Sequence, residues 1–141
     1  MKKLIFAICL AGASTVAVAQ DIRQSEVPSV VLNAFQSKFS NAADVEWEMK
    51  GDLYKVEFEI GKFDHYLWID KNGKVVKHKE ELSKSDLPPA INDKIKAEYK
   101  DYRVDDVYKI ESDGKVTYEV ELDGNRGDRE ITFAPDGTVQ P

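Results

Sequence analysis

Two stretches of the chain carry apolar residues at the four-residue spacing that is typical of one face of an α-helix. The first opens at Val27-Pro28 and continues with Val31, Phe35 and Phe39, and the second opens at Leu87-Pro88 and continues with Ile91, Ile95 and Tyr99. The two stretches lie sixty residues apart, position for position. They predict two helices, over residues 27–39 and 87–99.

Apolar and polar residues alternate after each helix, as they do in a strand with one buried face. Tyr54-x-Val56-x-Phe58 recurs as Tyr118-x-Val120-x-Leu122, and Leu67-x-Ile69 recurs as Ile131-x-Phe133, both sixty-four residues later. Asn72-Gly73 and Asp136-Gly137 follow at the same offset and are strong signals of tight turns. A further strand is predicted before these in each half, near 44–49 and 104–110. The change from sixty to sixty-four predicts a four-residue insertion, which we place at 102–106.

The first hairpin has a defined register if Gly61-Lys62 is a two-residue turn. Ile60 then faces Phe63, Phe58 faces His65, Val56 faces Leu67, and Tyr54 faces Ile69, so that all eight side chains lie on one face of the sheet. The corresponding residues of the second half fall on the equivalent face. Each half therefore reads as a helix, three strands and a short strand, with one face of the strands covered by the helix.

These patterns resemble those of a known family of exported bacterial proteins. The Val-Pro helix, Val45-Glu46-Trp47-Glu48, Tyr54-x-Val56-x-Phe58 and Ile69-Asp70-Lys71-Asn72-Gly73-Lys74 look like the PepSY-like, beta-lactamase-inhibitor-like family. The resemblance implies an α+β fold, in which a tandem repeat (about 25–82 and 85–141) forms one curved antiparallel sheet of about eight strands with both helices on one face. It also implies an inhibitory or protease-restraining role, in which inhibitors bind an enzyme through the open face of the sheet.

The first nineteen residues have the features of a signal peptide. Lys2 and Lys3 precede an apolar run, and Ala17-Val18-Ala19 fits a cleavage site before Gln20. Cys9 lies inside this segment in a context that does not favour lipid attachment. Removal of the segment leaves 18 basic and 26 acidic residues, a net charge of −8, and no cysteine. We therefore expect a single periplasmic or secreted domain over 20–141, without disulfides or a membrane span, whose charge disfavours binding to nucleic acid.

The face of the sheet opposite the helices holds the candidate binding residues. The register places six residues of the first half there: Lys55, Glu57, Glu59, Asp64, Tyr66 and Trp68. Because aromatic side chains dominate binding hot spots, Tyr66 and Trp68 are the candidate anchors and should be substantially exposed. The alternative is ordinary cross-strand packing, with Trp68 lying over Lys55. We expect Trp47, by contrast, to be buried against Tyr54 or a helix.

The acidic residues of this face allow a second reading, as a solvated surface or as a site for a basic partner or a divalent cation. Asp70-Lys71-Asn72-Gly73 resembles the start of a calcium loop, but the later ligands are missing, so a hairpin turn is predicted. His65 is expected on the core face and His78 in solvent, with no third ligand at zinc-like spacing. No metal site, cofactor or catalytic motif is therefore predicted.

The function predicted from these features is a non-enzymatic module that binds or inhibits a protein partner through the open face. The partner would be an exported or envelope protein such as a peptidase. The alternative is a carrier of a small ligand or a cation that uses the acidic residues of that face.

Overall fold

The computed structural model of this chain describes residues 20–141 and has one antiparallel sheet of eight strands in chain order. The strands are β1 (Gln20–Ile22), β2 (Ala43–Lys50), β3 (Leu53–Ile60), β4 (Phe63–Ile69), β5 (Val75–Glu81), β6 (Tyr102–Ser112), β7 (Lys115–Gly124) and β8 (Arg129–Phe133). Helix α1 (Ser29–Lys38) precedes β2, and helix α2 (Pro89–Glu98) precedes β6. Neither helix is long and apolar enough to cross a membrane. The α+β fold predicted from the sequence is confirmed.

Each helix covers one half of the sheet and forms a hydrophobic cluster with it. In the first half, Val31 and Phe35 of α1 pack on Trp47, Val56, Phe58, Leu67 and Ile69. In the second half, Ile91 and Ile95 of α2 pack on Val107, Val120, Leu122 and Phe133. Both helices are shorter than their apolar spacing predicts, because Val27 and Leu87 are in extended backbone before the first turn, although their side chains are buried. We call the covered side of the sheet the helix face and the other side the open face.

The strand register is the one that the alternation predicts. Tyr54 pairs with Ile69, Val56 with Leu67, Phe58 with His65, and Ile60 with Phe63. In the second half Tyr118 pairs with Phe133 and Val120 with Ile131, so β7 and β8 repeat the register of β3 and β4. The period-two pattern fixed this register because a slip of one residue would carry the whole apolar set into solvent.

The predicted position of the four-residue insertion is wrong. Val107 pairs with Val120 as Trp47 pairs with Val56, and a β-bulge interrupts the pairing just before each of these pairs, so the offset of sixty persists into β6. The extra residues instead lengthen the β6–β7 hairpin, whose last pair is Ser112 with Lys115. The two bulges each add one residue at matching positions and therefore cancel in the offset. The error arose because the offset gives the number of extra residues between α2 and β7, but not whether they precede β6 or lie in the hairpin.

Strand β5 belongs to both halves of the sheet. It follows the Asn72-Gly73 turn as the last strand of the first half, and it pairs with β6 as β1 pairs with β2. The equivalent segment at the end of the second half is reduced to a single bridge, between Phe133 and Val139. The sheet therefore has eight strands because β1 is added at the start of the first half, while the short strand expected at the end of the second half is missing from the described residues. The predicted signal peptide, 1–19, and Cys9 lie outside the described residues.

Candidate functional site

The open face carries a row of aromatic and lysine side chains across its central strands. Tyr66 and Trp68 lie on β4, Lys77 and Lys79 on β5, and Tyr108 on β6. The Lys77 ammonium lies 4.6 Å from the centre of the Trp68 ring, and that of Lys79 lies 4.0 Å from the Tyr108 ring and 5.9 Å from the Tyr66 ring. These are cation–π distances. We call these five residues the aromatic–lysine strip.

The structure places all six sequence-predicted residues on the open face. Lys55 pairs with Trp68, Glu57 with Tyr66, and Glu59 with Asp64 across β3 and β4. The Lys55 ammonium lies 3.3 Å from a Glu48 carboxylate oxygen and 3.7 Å from one of Glu57. The structure therefore brings the six residues together on the open face.

The expectation that Tyr66 and Trp68 are substantially exposed is wrong, because both are half-buried. The cause is the lysine side chains beside them, whose aliphatic stems cover apolar surface while their ammonium groups reach water. The lysine over Trp68 is Lys77 of β5, whereas Lys55 lies over Tyr66 at 5.3 Å. Lys55 is thus the cross-strand neighbour of Trp68, as predicted, but the ammonium over the Trp68 ring belongs to Lys77 on the other neighbouring strand.

Sequence reasoning missed the β5 and β6 parts of this surface. Tyr108 and Ile110 stand on the open face because Tyr108 pairs with Glu81 and Ile110 with Lys79. The signal that could have found them is the alternation of Lys77, Lys79 and Glu81 along β5. This alternation identifies Tyr108 and Ile110 only when the pairing of β5 with β6 is known.

Acidic groups surround the strip and act on its phenols. Burial, with the carboxylates of Glu57 and Asp64 nearby, raises the pKa of Tyr66 to about 12. Burial also raises the pKa of Tyr108, and Asp106 adds to that shift. The phenols therefore remain neutral hydrogen-bond donors at any physiological pH, flanked by positive ammonium groups and an outer rim of carboxylates.

The carboxylates of the open face form two close groups, and both involve Glu121. One joins it to Asp105 and Asp106, and the other to Glu119 and Glu130. Glu119 already forms an ion pair with Lys79. Burial raises the pKa of Glu121, and the Asp106 and Glu130 carboxylates add to the shift, whereas the Lys79 ammonium opposes it.

The Asp70 segment is a hairpin turn, as predicted. The Asp70 carboxylate accepts hydrogen bonds from the backbone amides of Asn72, at 2.8 Å, and Lys74, at 3.0 Å. The Asp136 carboxylate accepts one from the amide of Thr138 at the equivalent turn. The side chain that begins the resemblance to a calcium loop is therefore used to close the turn.

On the helix face, the two histidines lie together. His65 is buried and paired with Phe58, as expected. The expectation that His78 is in solvent is wrong: it is half-buried, and its Nε2 lies 3.2 Å from Nδ1 of His65. It points inward because His78 pairs with Leu67, a core residue of β4.

Comparison with known families places the chain in one of them. The family described as "beta-lactamase-inhibitor-like, PepSY-like" matches residues 15–77 and again 52–140. The chain therefore belongs to this PepSY-like family, and the double match agrees with the repeat seen in the sheet. No curated protein sequence matches the chain.

Solved structures share the fold at low sequence identity. A DUF2874 family protein from Bacteroides uniformis has a TM-score of 0.73 and 23% identity, over 81% of this chain and 86% of its own. A protein from Bacteroides eggerthii described as "putative periplasmic" has a TM-score of 0.75 and 20% identity, over 82% and 86%. A BLIP-like protein from Bacteroides fragilis has a TM-score of 0.67 and 22% identity, over 81% and 83%. At these identities the likeness shows the fold alone.

Proposed function

We propose that this chain is a non-enzymatic module of inhibitor type that binds a protein partner through the open face, with the aromatic–lysine strip at the centre of the interface. The observation that carries the proposal is the strip itself. Three aromatic rings and Ile110 lie on the face that neither helix covers. Tyrosine and tryptophan concentrate binding energy at interface centres, where they bury large areas at little cost in side-chain entropy.

The charges around the strip define the kind of partner. The outer carboxylates, such as Glu57, Glu59 and Asp64, suit a partner with basic groups at its rim. Lys77 and Lys79 are already held against the rings, so less side-chain entropy would be lost when a partner covers them. An exported or envelope protein such as a peptidase, with a basic rim around an apolar site, fits this surface.

Export is part of the proposal, because Ala17-Val18-Ala19 is a suitable cleavage site for a signal peptidase. The exported protein should begin at Gln20, as measured by its intact mass. A retained Met1, or a lipid on Cys9, would contradict this part of the proposal.

The chain offers a matched control for the binding test. The repeat equivalents of Tyr66 and Trp68 are Glu130 and Thr132, which occupy the same register positions on β8. A double alanine variant at Tyr66 and Trp68 should lose the proteins that the wild type captures from periplasmic extract, whereas a double alanine variant at Glu130 and Thr132 should retain them. Circular dichroism and thermal melts establish that both variants are folded.

Equal capture by the wild type and the Tyr66/Trp68 variant would refute the strip as the anchor. If a captured partner is a peptidase, its activity should fall on addition of the wild type and recover with the double variant. The alternative function, a cation carrier on the acidic face, is less well supported because Lys79 already pairs with Glu119. Calorimetric titration of Ca²⁺ and Mg²⁺ into the wild type and Glu121→Gln tests that alternative.

A further inference from the structure

The middle of the helix face, between the two hydrophobic clusters, is polar. His65 on β4 pairs with Glu80 on β5, and its neighbour on the same face, Leu67, pairs with His78. Residues that alternate along a strand share a face, so His65, His78 and Glu80 converge at one place on the sheet. His78 and Glu80 follow His65 by thirteen and fifteen residues in the sequence. This spacing matches no recognisable metal motif, which is why sequence reasoning missed the cluster.

The three side chains present their donor atoms at metal-binding spacing. Nδ1 of His65 lies 3.2 Å from Nε2 of His78 and 3.9 Å from Oε2 of Glu80, and the ligand atoms of all three residues lie within 4.8 Å of one another. Two zinc–nitrogen bonds of about 2.0–2.1 Å that diverge at a tetrahedral angle place their nitrogens roughly 3.3 Å apart. The two imidazole nitrogens are already at nearly this separation.

Neighbouring residues hold the three side chains in place. The His65 ring lies nearly parallel to Phe58, with centres 5.2 Å apart, and Phe39 lies 5.4 Å from the His78 ring. The Lys109 ammonium lies 3.5 Å from Oε1 of Glu80, which leaves Oε2 directed toward His65. Such outer contacts orient ligands in established metal sites.

The protonation states also suit metal binding. Burial lowers the pKa of both His65 and His78, although Glu80 opposes the shift at each ring. Neutral imidazoles are the form that binds metals. The other charged groups that act on the rings are Asp64 and Glu81, which project to the open face, at His65, and Lys109 and Glu111 of β6 at His78.

We propose that His65 Nδ1, His78 Nε2 and Glu80 Oε2 form a site for a zinc-class divalent transition metal, with water as the fourth ligand. Two imidazoles and one carboxylate are a donor set that favours Zn²⁺ or Cu²⁺ over Mg²⁺ and Ca²⁺. Binding requires each ligating nitrogen to be unprotonated, so each ring keeps its single proton on the other nitrogen and no net proton is released from the imidazoles. His78 lines a groove with Lys38 of α1 and Glu111 of β6, and this groove gives an ion access to the site.

The composition of the chain makes the test specific. It has two histidines and one cysteine in all, so the untagged full-length chain carrying Cys9→Ser has no other imidazole or thiol. Calorimetric titration with Zn²⁺ should show one saturable site per chain, and Mg²⁺ should show none there. His78→Gln should weaken Zn²⁺ binding at least about 100-fold and Glu80→Gln about 10-fold or more. Each variant removes a direct ligand, and even the loss of an outer contact weakens metal affinity by about 10–100-fold.

Glu121→Gln is the control, because Glu121 belongs to both carboxylate groups of the open face and touches none of the three ligands. It should leave Zn²⁺ binding unchanged. Nitrogen NMR gives a second measurement. Addition of Zn²⁺ should change the chemical shift of one ring nitrogen in each histidine, and both changes should follow the same titration curve. One-to-one Zn²⁺ binding that survives His78→Gln, or no saturable binding at micromolar Zn²⁺, would overturn the proposal and leave the pair as a hydrogen-bonded structural contact.

Discussion

The two tryptophans of the chain occupy opposite faces of the first half of the sheet. Trp47 on β2 is 3% exposed and meets the Phe35 ring edge-on at 5.5 Å. Trp68 on β4 is half-buried beneath Lys77 on the open face. Their similar size and different surroundings make them a direct comparison of a core residue with a surface residue.

Alanine substitution should separate these two roles. Trp47→Ala should lower the free energy of unfolding by roughly 3–5 kcal/mol, as loss of a buried aromatic side chain does. Trp68→Ala should cost about 1 kcal/mol, because the side chain lies on the open face in partial contact with water and the loss is typical of a surface change. Urea denaturation of both variants measures the difference, and an equal loss would mean that Trp68 is a core residue.

Tyr66 gives the open face a measurable pH dependence. Its pKa is about 12 in the folded protein and 10.0 in the unfolded chain. Because folding retains the proton, this contribution to stability is complete below pH 10 and is lost as the pH rises from about 10 to about 12. The stability of Tyr66→Phe should therefore fall less steeply over this window than that of the wild type. If the free energies of unfolding of the wild type and of Tyr66→Phe fall in parallel with pH, Tyr66 is not the origin of this loss of stability.

At the residue scale, the alternation of apolar and polar residues predicted which face of the sheet a side chain lies on. It did not predict the contacts that a side chain makes with a neighbouring strand. The positions of Trp47, His65, Tyr66 and Trp68 followed from period two and one turn. The exposure of Trp68 did not, because Lys77 reaches it from β5. The inward position of His78 likewise depends on the pairing of β4 with β5, which no local pattern encodes.

At the element scale, the turn after β4 is locked against the helix. Gly73 has a φ of +84°, and a Cβ at this position would lie 2.9 Å from the Val30 carbonyl oxygen of α1. Gly137 has a φ of +88°, and a Cβ there would lie 2.8 Å from the carbonyl oxygen of Ala90 of α2. The same contact thus fixes each helix to its half of the sheet.

Substitution of Gly73 should therefore be costly for two reasons. Gly73→Ala should lower the free energy of unfolding by roughly 2–4 kcal/mol, of which left-handed backbone accounts for about 1–2 kcal/mol and the contact with Val30 for the rest. Gly61→Ala is the control, since Gly61 has a φ of +67° with nothing within 4 Å of its Cβ position. Equal losses for the two variants would show that the turn does not hold the helix.

At the element scale, the repeat pattern predicted some features correctly and one incorrectly. Helices, hairpin turns and the β3–β4 register were predictable because each is encoded within about twenty residues. The insertion was misplaced because a β6–β7 hairpin that is four residues longer than the β2–β3 hairpin gives the same total offset as an insertion after α2. Only the pairing of Val107 with Val120 distinguishes the two.

At the scale of the whole molecule, the sheet is continuous but its hydrophobic core is not. Phe58 belongs to the cluster under α1, and Phe133 to the cluster under α2. Between them, the helix face of β5 and β6 carries His78, Glu80 and Lys109. The two halves should therefore be coupled through the backbone pairing of β5 with its neighbours more than through side-chain packing.

Double-mutant cycles in urea test this division of the core. Phe58→Leu and Phe133→Leu should be additive within about 0.5 kcal/mol, because the two residues share no cluster. Phe35→Leu and Phe58→Leu, by contrast, remove two rings whose centres lie 5.0 Å apart, and should couple by about 0.5–1.5 kcal/mol, the usual worth of an aromatic pair. Coupling between Phe58 and Phe133 as large as this would mean that the clusters act as one core, and that the polar centre transmits packing between them.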